Sequence, residues 1–339
     1  MWTHLAGVFD TKNDSDNTND TIQLFVNGRP QGQPVKLYSV STAYTPWVST
    51  EGLHIGRSKV GGAYAENFLG RIDEVNVWQR VLTEEEVRQD ARLETDGTPA
   101  TELVAYWDSA TAAGGKVTEF TSYSLDSMSL SPTGAVSDPD ENALNLDGAS
   151  GYMSTTGPAV DESGSFTVTA DVKLDSAKFA AMPVGRRAQI FGQSTPDGKE
   201  SSWALWVEKV SADGYLWRFG RTATDATGKV LASASVPSEA SAEMDTWVQI
   251  TGVYDATEDA DGGHGNTHLY VSEAEQAQEG GAGFTAVQQG GGEIAAGRGR
   301  AGGTTGHYLP GALDEVRVWV GAMNADQVRS QALGAPGDE

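Results

Sequence analysis

Repetition constrains this 339-residue chain more than any other feature. The run WTHLAGVFD at Trp2–Asp10 returns as WVQITGVYD at Trp247–Asp255, an offset of 245 (Trp2 to Trp247). The same offset superposes Leu24-Phe25-Val26 on Leu269-Tyr270-Val271. FLGRIDEVNVW at Phe68–Trp78 matches YLPGALDEVRVW at Tyr308–Trp319, now with an offset of 241 (Trp78 to Trp319). Gly56-Arg57 and Gly297-Arg298 share that second offset. Order, spacing and residue type agree at four blocks, so the two stretches are copies of one unit.

The copies are unequal. Nothing upstream of Trp2 corresponds to the stretch from Glu102 to Asp245. The expected organisation is therefore residues 1–93 as the C-terminal half of a domain, its front half expected upstream, residues 94–101 as a linker, and residues 102–335 as a complete domain. Met1-Trp2-Thr3-His4 is not a basic stretch leading into an apolar run, so no leader signal is read at this end.

Strand patterns dominate. Phe166–Val172, Trp203–Val207, Tyr215–Phe219, Trp247–Tyr254, Thr267–Val271 and Ala312–Val320 alternate or are rich in β-branched and aromatic residues. Asp213-Gly214 between two such runs reads as a hairpin turn. With 41 Gly and no long amphipathic stretch, the composition favours turns and short strands. The expected fold class is all-β, an antiparallel β-sandwich. Each copy also closes on a helix-start signal. Thr83 and Glu86 form a capping box with Leu82 and Val87 as staple, and Asn324, Gln327, Met323 and Val328 repeat it.

Charge and composition exclude several functions. There are 23 Lys and Arg against 47 Asp and Glu, a net charge of −24 without a basic cluster, which opposes binding to a phosphate backbone; no nucleic-acid partner is expected. No run of 18 apolar residues occurs, so no membrane insertion by a helix is expected. The absence of Cys removes disulfides, thiol nucleophiles and thiolate zinc sites, and the five His show no HExxH spacing. No Gly-X-Ser-X-Gly elbow is present, and Gly290-Gly291-Gly292 lacks the Lys-Ser/Thr of a phosphate loop.

The blocks WTHLAGVFD, IQLFVNG, GLHIGR, FLGRIDEVNVW and VLTEEEV resemble the C-terminal half of laminin-G-like jelly-roll domains of the concanavalin A-like superfamily. ELVAYW at Glu102–Trp107, ALNLDGASGYMSTTG at Ala143–Gly157 and SFTVTADVKL at Ser165–Leu174 resemble that family's N-terminal half, and the match is weakest between about 175 and 245. The acidic, Cys-free, Gly/Ala/Thr-rich style is similar to tandem modules of large secreted actinobacterial proteins. One departure is Ser272-Glu273, where the first copy has the turn Asn27-Gly28. The resemblance implies two packed antiparallel sheets, a secreted or cell-surface location, and adhesion through a glycan or extracellular protein partner, in some members with calcium. The expected function is a non-catalytic recognition module; a structural spacer and a degenerate polysaccharide hydrolase are the alternatives.

Candidate ligands for calcium come from three places. In RIDEVNVW a period of two sets Asp73 on the face of Val75 and Val77, and sets Asp314 with Val316 and Val318. A carboxylate on a core face needs a partner: a cation, an ion pair with Arg57 or Arg298, or backbone N–H groups of a neighbouring loop. The loop after Asp10 carries Asp14 and Asp16, and its counterpart after Asp255 carries Asp259 and Asp261. Clustered oxygens suit a hard cation; the plain alternative is a solvated hairpin tip, and no EF-hand Glu closes either loop. For a sugar, the candidate aromatics are Tyr44 and Trp47 in an irregular stretch, and Trp203, which lies opposite Trp206 across an extended strand so that one of the two faces outward. The recurring Trp2, Trp247, Trp78 and Trp319 read as core. Glu243-Met244-Asp245-Thr246-Trp247-Val248-Gln249 approaches the paired-carboxylate pattern of retaining glucanases, but Gln249 stands where the acid would be.

Overall fold

The computed structural model describes residues 3–12, 16, 18–40, 52–92, 99–121, 125–160, 162–225, 227, 229–258, 265–276, 282–283 and 290–333. It divides into two units, one of His4–Asp90 and one of Met1–Thr3 with Ala91–Glu339.

In the smaller unit, alternation of Leu5, Gly7 and Phe9 with Ala6 and Val8 gives strand β1 (Leu5–Asp10). It pairs antiparallel with β2 (Thr21–Val26), and Arg29–Pro30 and Val35–Lys36 extend β2's other side. Asn27 makes the hairpin possible by taking the left-handed region at φ 49°, which its short polar side chain tolerates. A two-stranded ribbon, Ser58–Val60 with Ala63–Ala65, follows. The unit ends in helix α1 (Glu84–Arg92), whose capping box is formed: Thr83 N–H donates to Glu86 Oε2 at 2.8 Å and Glu86 N–H to Thr83 Oγ1 at 3.2 Å. The expected strand in Phe68–Trp78 has no ladder here.

The larger unit is a two-sheet antiparallel sandwich. Its strands are β3 (Glu102–Trp107), β4 (Ala135–Asp138), β5 (Ala143–Asp147), β6 (Phe166–Leu174), β7 (Arg187–Ser194), β8 (Ser201–Lys209), β9 (Tyr215–Thr224), β10 (Val230–Pro237), β11 (Trp247–Asp255), β12 (Asn266–Val271), β13 (Ile294–Ala296) and β14 (Pro310–Val320). The first sheet runs β4-β5-β14-β6-β11-β12, with β3 also on β14; the second runs β10-β9-β8-β7-β13 and continues through Met153–Ser154 and Met128–Leu130. Between β6 and β7 lies helix α2 (Ser176–Ala181), capped by the Asp175 carboxylate, which accepts from Lys178 N–H. Helix α3 (Ala325–Leu333) closes the unit with the second capping box, Asn324 N–H to Gln327 Oε1 at 3.1 Å and Gln327 N–H to Asn324 Oδ1 at 2.9 Å.

Alternation along β6 sends Phe166, Val168, Ala170, Val172 and Leu174 inward, and β8 and β9 answer from the opposing sheet with Trp203, Leu205, Val207, Trp217 and Phe219. Phe166 packs edge-on to Phe219 and tilted on Trp203 and Tyr254, at centroid distances of 5.4–6.4 Å. Trp319 belongs instead to a smaller apolar cluster with Val253, Tyr270, Met323 and Val328. Trp247, read above as core, is 37% exposed with the Lys173 ammonium 5.5 Å from its ring.

The copies agree in backbone detail. The left-handed residues Asn27 and Ser272 coincide under the offset of 245, and Glu66 and His307, and Glu74 and Glu315, under the offset of 241, with φ between 49° and 55° throughout. Ser272 thus performs the turn that Asn27 performs, without the glycine that follows Asn27.

Candidate functional site

Asp314 does not lie with Val316 and Val318. Glu315 takes φ 52°, and the β6–β14 register shifts there, from Asp171↔Asp314 to Thr169↔Arg317. A bulge inserts one residue and reverses the parity of everything before it. Leu313, Val316 and Val318 point into the core, whereas Asp314, Glu315 and Arg317 join Asp171 on the outer face of the first sheet.

A polar cluster gathers around them. Ser109 N–H donates to Asp314 Oδ1 at 2.9 Å, so the carboxylate takes the backbone partner named above as one alternative. Tyr106 O–H donates to Glu315 Oε1 at 2.8 Å, Glu315 is ion-paired to Arg317, and the Arg317 guanidinium lies 4.8 Å from the Tyr106 ring centre. Oxygens of Asp108, Asp314 and Glu315 lie within 4.8 Å of one another, and the half-buried Asp171, hydrogen-bonded by the side chain of its cross-strand neighbour Gln249, stands beside them. Burial, with the charges of Asp108 and Asp171 added, pushes the Asp314 carboxyl up to about 7; burial likewise raises Asp171, against the pull of Arg317. Four carboxylates facing one guanidinium form an oxygen-only donor set short of positive charge, which fits a hard divalent cation such as calcium.

The other sequence candidates distribute as follows. Arg298 pairs with Glu293 at 2.9 Å, not with Asp314, and the Arg57 guanidinium stacks on Tyr64 at 3.7 Å. Asp73 is exposed and accepts from Glu74 N–H at 2.9 Å. Asp16 is exposed and closes a local turn, accepting from Thr18 N–H and Oγ1, which lowers its pKa. Asp14, Asp259 and Asp261, and the aromatics Tyr44 and Trp47, lie outside the described residues. Two carboxylates of the second acidic stretch are used internally. Asp255 accepts from Thr257 N–H at 2.8 Å, and Glu258 accepts from Asn266 at 2.7 Å and meets His268 Nε2 at 3.0 Å. Asp245 is exposed at φ 58° and accepts from Ser176 N–H at the start of α2.

His268 carries a pH prediction. Burial disfavours its charge, but Glu258 and Glu275, at 3.0 and 2.9 Å on its two ring nitrogens, outweigh that and raise its pKa above 6.5. A folded-state pKa above the unfolded one adds stability that is complete below about 6.5 and fades as pH rises through the folded value. The melting temperature of the larger unit should therefore decline above pH 6.5, by a few degrees at about 2–4 °C per kcal/mol. His268→Gln should flatten that decline in melts run across the same pH range.

Trp203 is not the outward tryptophan. It is 1% exposed, packed on Phe166 and Phe191 at 5.4 and 5.3 Å. Register decides the matter: Gln189↔Trp206↔Arg218 is a cross-strand row on the outer face of the second sheet, one residue out of phase with the core row Arg221–Trp203. Trp206 is half-buried, the Arg187 guanidinium lies 5.1 Å from its ring centre, and its indole N–H is buried without a partner. Arg218 pairs with Glu208 at 2.8 Å. Gln189 also lines an adjacent cleft with Ser201, Arg298 and Arg300, where Glu293 accepts from both guanidiniums at 2.7–2.9 Å. Gln189 thus belongs both to the row of Trp206 and to the lining of the cleft.

Two packed antiparallel sheets of this order, closed by a capped helix, define a jelly-roll β-sandwich protein. The chain belongs to the concanavalin A-like lectin/glucanases superfamily, whose laminin G model matches residues 1–88 and 147–329. No curated protein matches its sequence. Among solved structures, a Trypanosoma rangeli sialidase in complex with sialic acid is 17% identical with a TM-score of 0.47, over 68% of this chain and 32% of that one. The botulinum neurotoxin type G receptor binding domain is 14% identical with a TM-score of 0.47, over 68% and 51%. A heptameric SAP-like pentraxin from Limulus polyphemus is 18% identical with a TM-score of 0.36, over 50% and 69%. The chain spans about a third of the length of the sialidases it matches.

Proposed function

We propose that this protein is a non-catalytic extracellular recognition module that binds glycans across the outer face of its second sheet, with calcium holding the outer cluster of the first. Superfamily membership assigns no ligand, so the reading rests on local chemistry. The observation that carries it is Trp206 in a row with Gln189 and Arg218, under the Arg187 guanidinium. An indole offers a flat apolar surface to the C–H face of a pyranose, while amide and guanidinium groups at its margin pair with ring hydroxyls.

A glycan array followed by titration calorimetry of the retained oligosaccharide tests this. Trp206→Ala should lower affinity about tenfold or more, equivalent to about 1.4 kcal/mol. An array on which the intact chain retains nothing, or a Trp206→Ala variant that binds unchanged, rejects the reading and leaves a spacer.

Calcium is tested separately. Asp108, Asp314 and Glu315 would hold the ion, and Asp171 would supply charge behind them. Millimolar calcium should raise the melting temperature of the larger unit by several degrees over chelator, as a ligand of the folded state alone does. Asp314→Asn should abolish that difference; identical melting of the intact protein in calcium and in chelator removes the metal from the proposal.

A further inference from the structure

We propose that the smaller unit is an acceptor for a polypeptide with the chemistry of Glu102–Asp245, which completes a second sandwich on its apolar face. The internal repeat states what that face expects. Leu5 is 65% exposed where Ile250 is 0%, Leu53 is 75% where Ile294 is 0%, and Val77 is 74% where Val318 is 1%. Phe68, Ile72 and Val75 are likewise exposed, and their counterparts Leu309, Leu313 and Val316 are buried. Exposed apolar surface of this extent marks an interaction site.

Backbone pairing gives a second, independent observation. Residues 311–320 of the second copy are laddered by β6 on one side and by β3 and β5 on the other. Residues 72–78 have the same pattern and the same left-handed bulge residue, Glu74 at φ 51°, but no ladder. Backbone groups left open along a strand-forming sequence are a template for an added strand.

Vacant space gives a third. A Cβ on Gly252 would lie 2.3 Å from the Phe219 ring, which comes from the opposing sheet; a Cβ on its counterpart Gly7 would meet nothing within 4 Å. Gly311 likewise faces the Lys173 carbonyl of β6, whereas Gly70 meets only the ring of its own Phe68. At these two positions the glycine of the second copy lies where a ring or strand of the other half crosses it, and the first copy keeps the glycine.

The occupant is therefore a strand-rich polypeptide. It supplies an alternating apolar strand of the Phe166–Leu174 type, inserted between β1 and residues 72–78, and an opposing aromatic sheet of the β8–β9 type whose rings fill the space over Gly7. Its pairing follows from β6, which runs antiparallel to both flanking strands, Phe166 opposite Tyr254 on one side and opposite Val320 on the other.

The test uses the full chain, produced together with a separately tagged polypeptide of residues 99–246. The two should be recovered as an equimolar complex, with amides of residues 72–78 newly protected from hydrogen exchange and binding of an apolar dye reduced severalfold. Val77→Lys, a change on the open surface of the first copy alone, should lower recovery about tenfold. If the tagged polypeptide is insoluble by itself, the same segment joined through a flexible linker to the N-terminus of the full chain should give the same protection. Protection of residues 72–78 in the chain alone, unchanged exchange in both arrangements, or dye binding lost through self-association of the chain would each overturn the proposal.

Discussion

Replacing Arg221 with Met should destabilise the larger unit by about 3–5 kcal/mol, the cost of leaving a buried charge without its partner. Arg221 and Glu162 are both buried, joined at 3.0 Å, and the guanidinium lies 3.9 Å from the Tyr254 ring centre. Glu162 also accepts from Ser202 Oγ at 2.5 Å and Gln193 Nε2 at 2.7 Å. Burial still raises its pKa, because desolvation outweighs the attraction of Arg221 and these hydrogen bonds. Arg221→Met alone therefore forces the carboxyl to take up a proton or to stay charged in an apolar interior. Denaturant unfolding should show the full loss for Arg221→Met. Glu162→Gln combined with Arg221→Met should recover most of it, since the amide oxygen can still accept from Ser202 and Gln193 without a charge to bury. A double variant as unstable as the single one would mean that the guanidinium acts through its stacking on Tyr254 instead.

Alanine at Gly252 and at Gly7 should behave differently although the two positions are equivalent in the repeat. At Gly252 the new methyl collides with the fully buried Phe219 ring, and overpacking of this kind costs about 1–3 kcal/mol. At Gly7 the methyl has open space, and the change should stay within about 0.5 kcal/mol. Urea melts of the two variants measure both. The same Gly7→Ala change should impair binding of the residue 99–246 polypeptide, because it fills the space that an opposing ring would occupy. Equal destabilisation by the two substitutions would mean that the first copy already has a cover.

Much of the architecture was legible before any coordinates. The alternating runs of the larger unit and the paired helix starts at Thr83 and Asn324 are local signals, and each has its expected backbone. The site was less legible, for two physical reasons. A period of two assumes unbroken pleating, and one left-handed residue, Glu315, moves Asp314 to the other face of the sheet. Furthermore, Asp108 and Asp314 meet only through the pairing of β3 with β14, which no local pattern announces. The choice between Trp203 and Trp206 likewise waited on register against β7 and β9: alternation says that one faces out, and only the neighbouring strands say which. Residues 68–78 are the converse case: their alternation is a strand pattern, but they form no ladder, because a ladder needs a second chain segment.

The place of β14 bears on how the molecule is made. It stands in the interior of the first sheet, with β6 along one flank and β3 and β5 along the other, yet among the described strands of that sheet it is synthesised after all the others. At about 5–20 residues per second, the earlier strands wait several seconds in the cell with an open slot between them. A nascent chain stalled before Pro310 would carry two unpaired inner edges, so translation speed and chaperone capture over that interval should govern the yield of soluble protein.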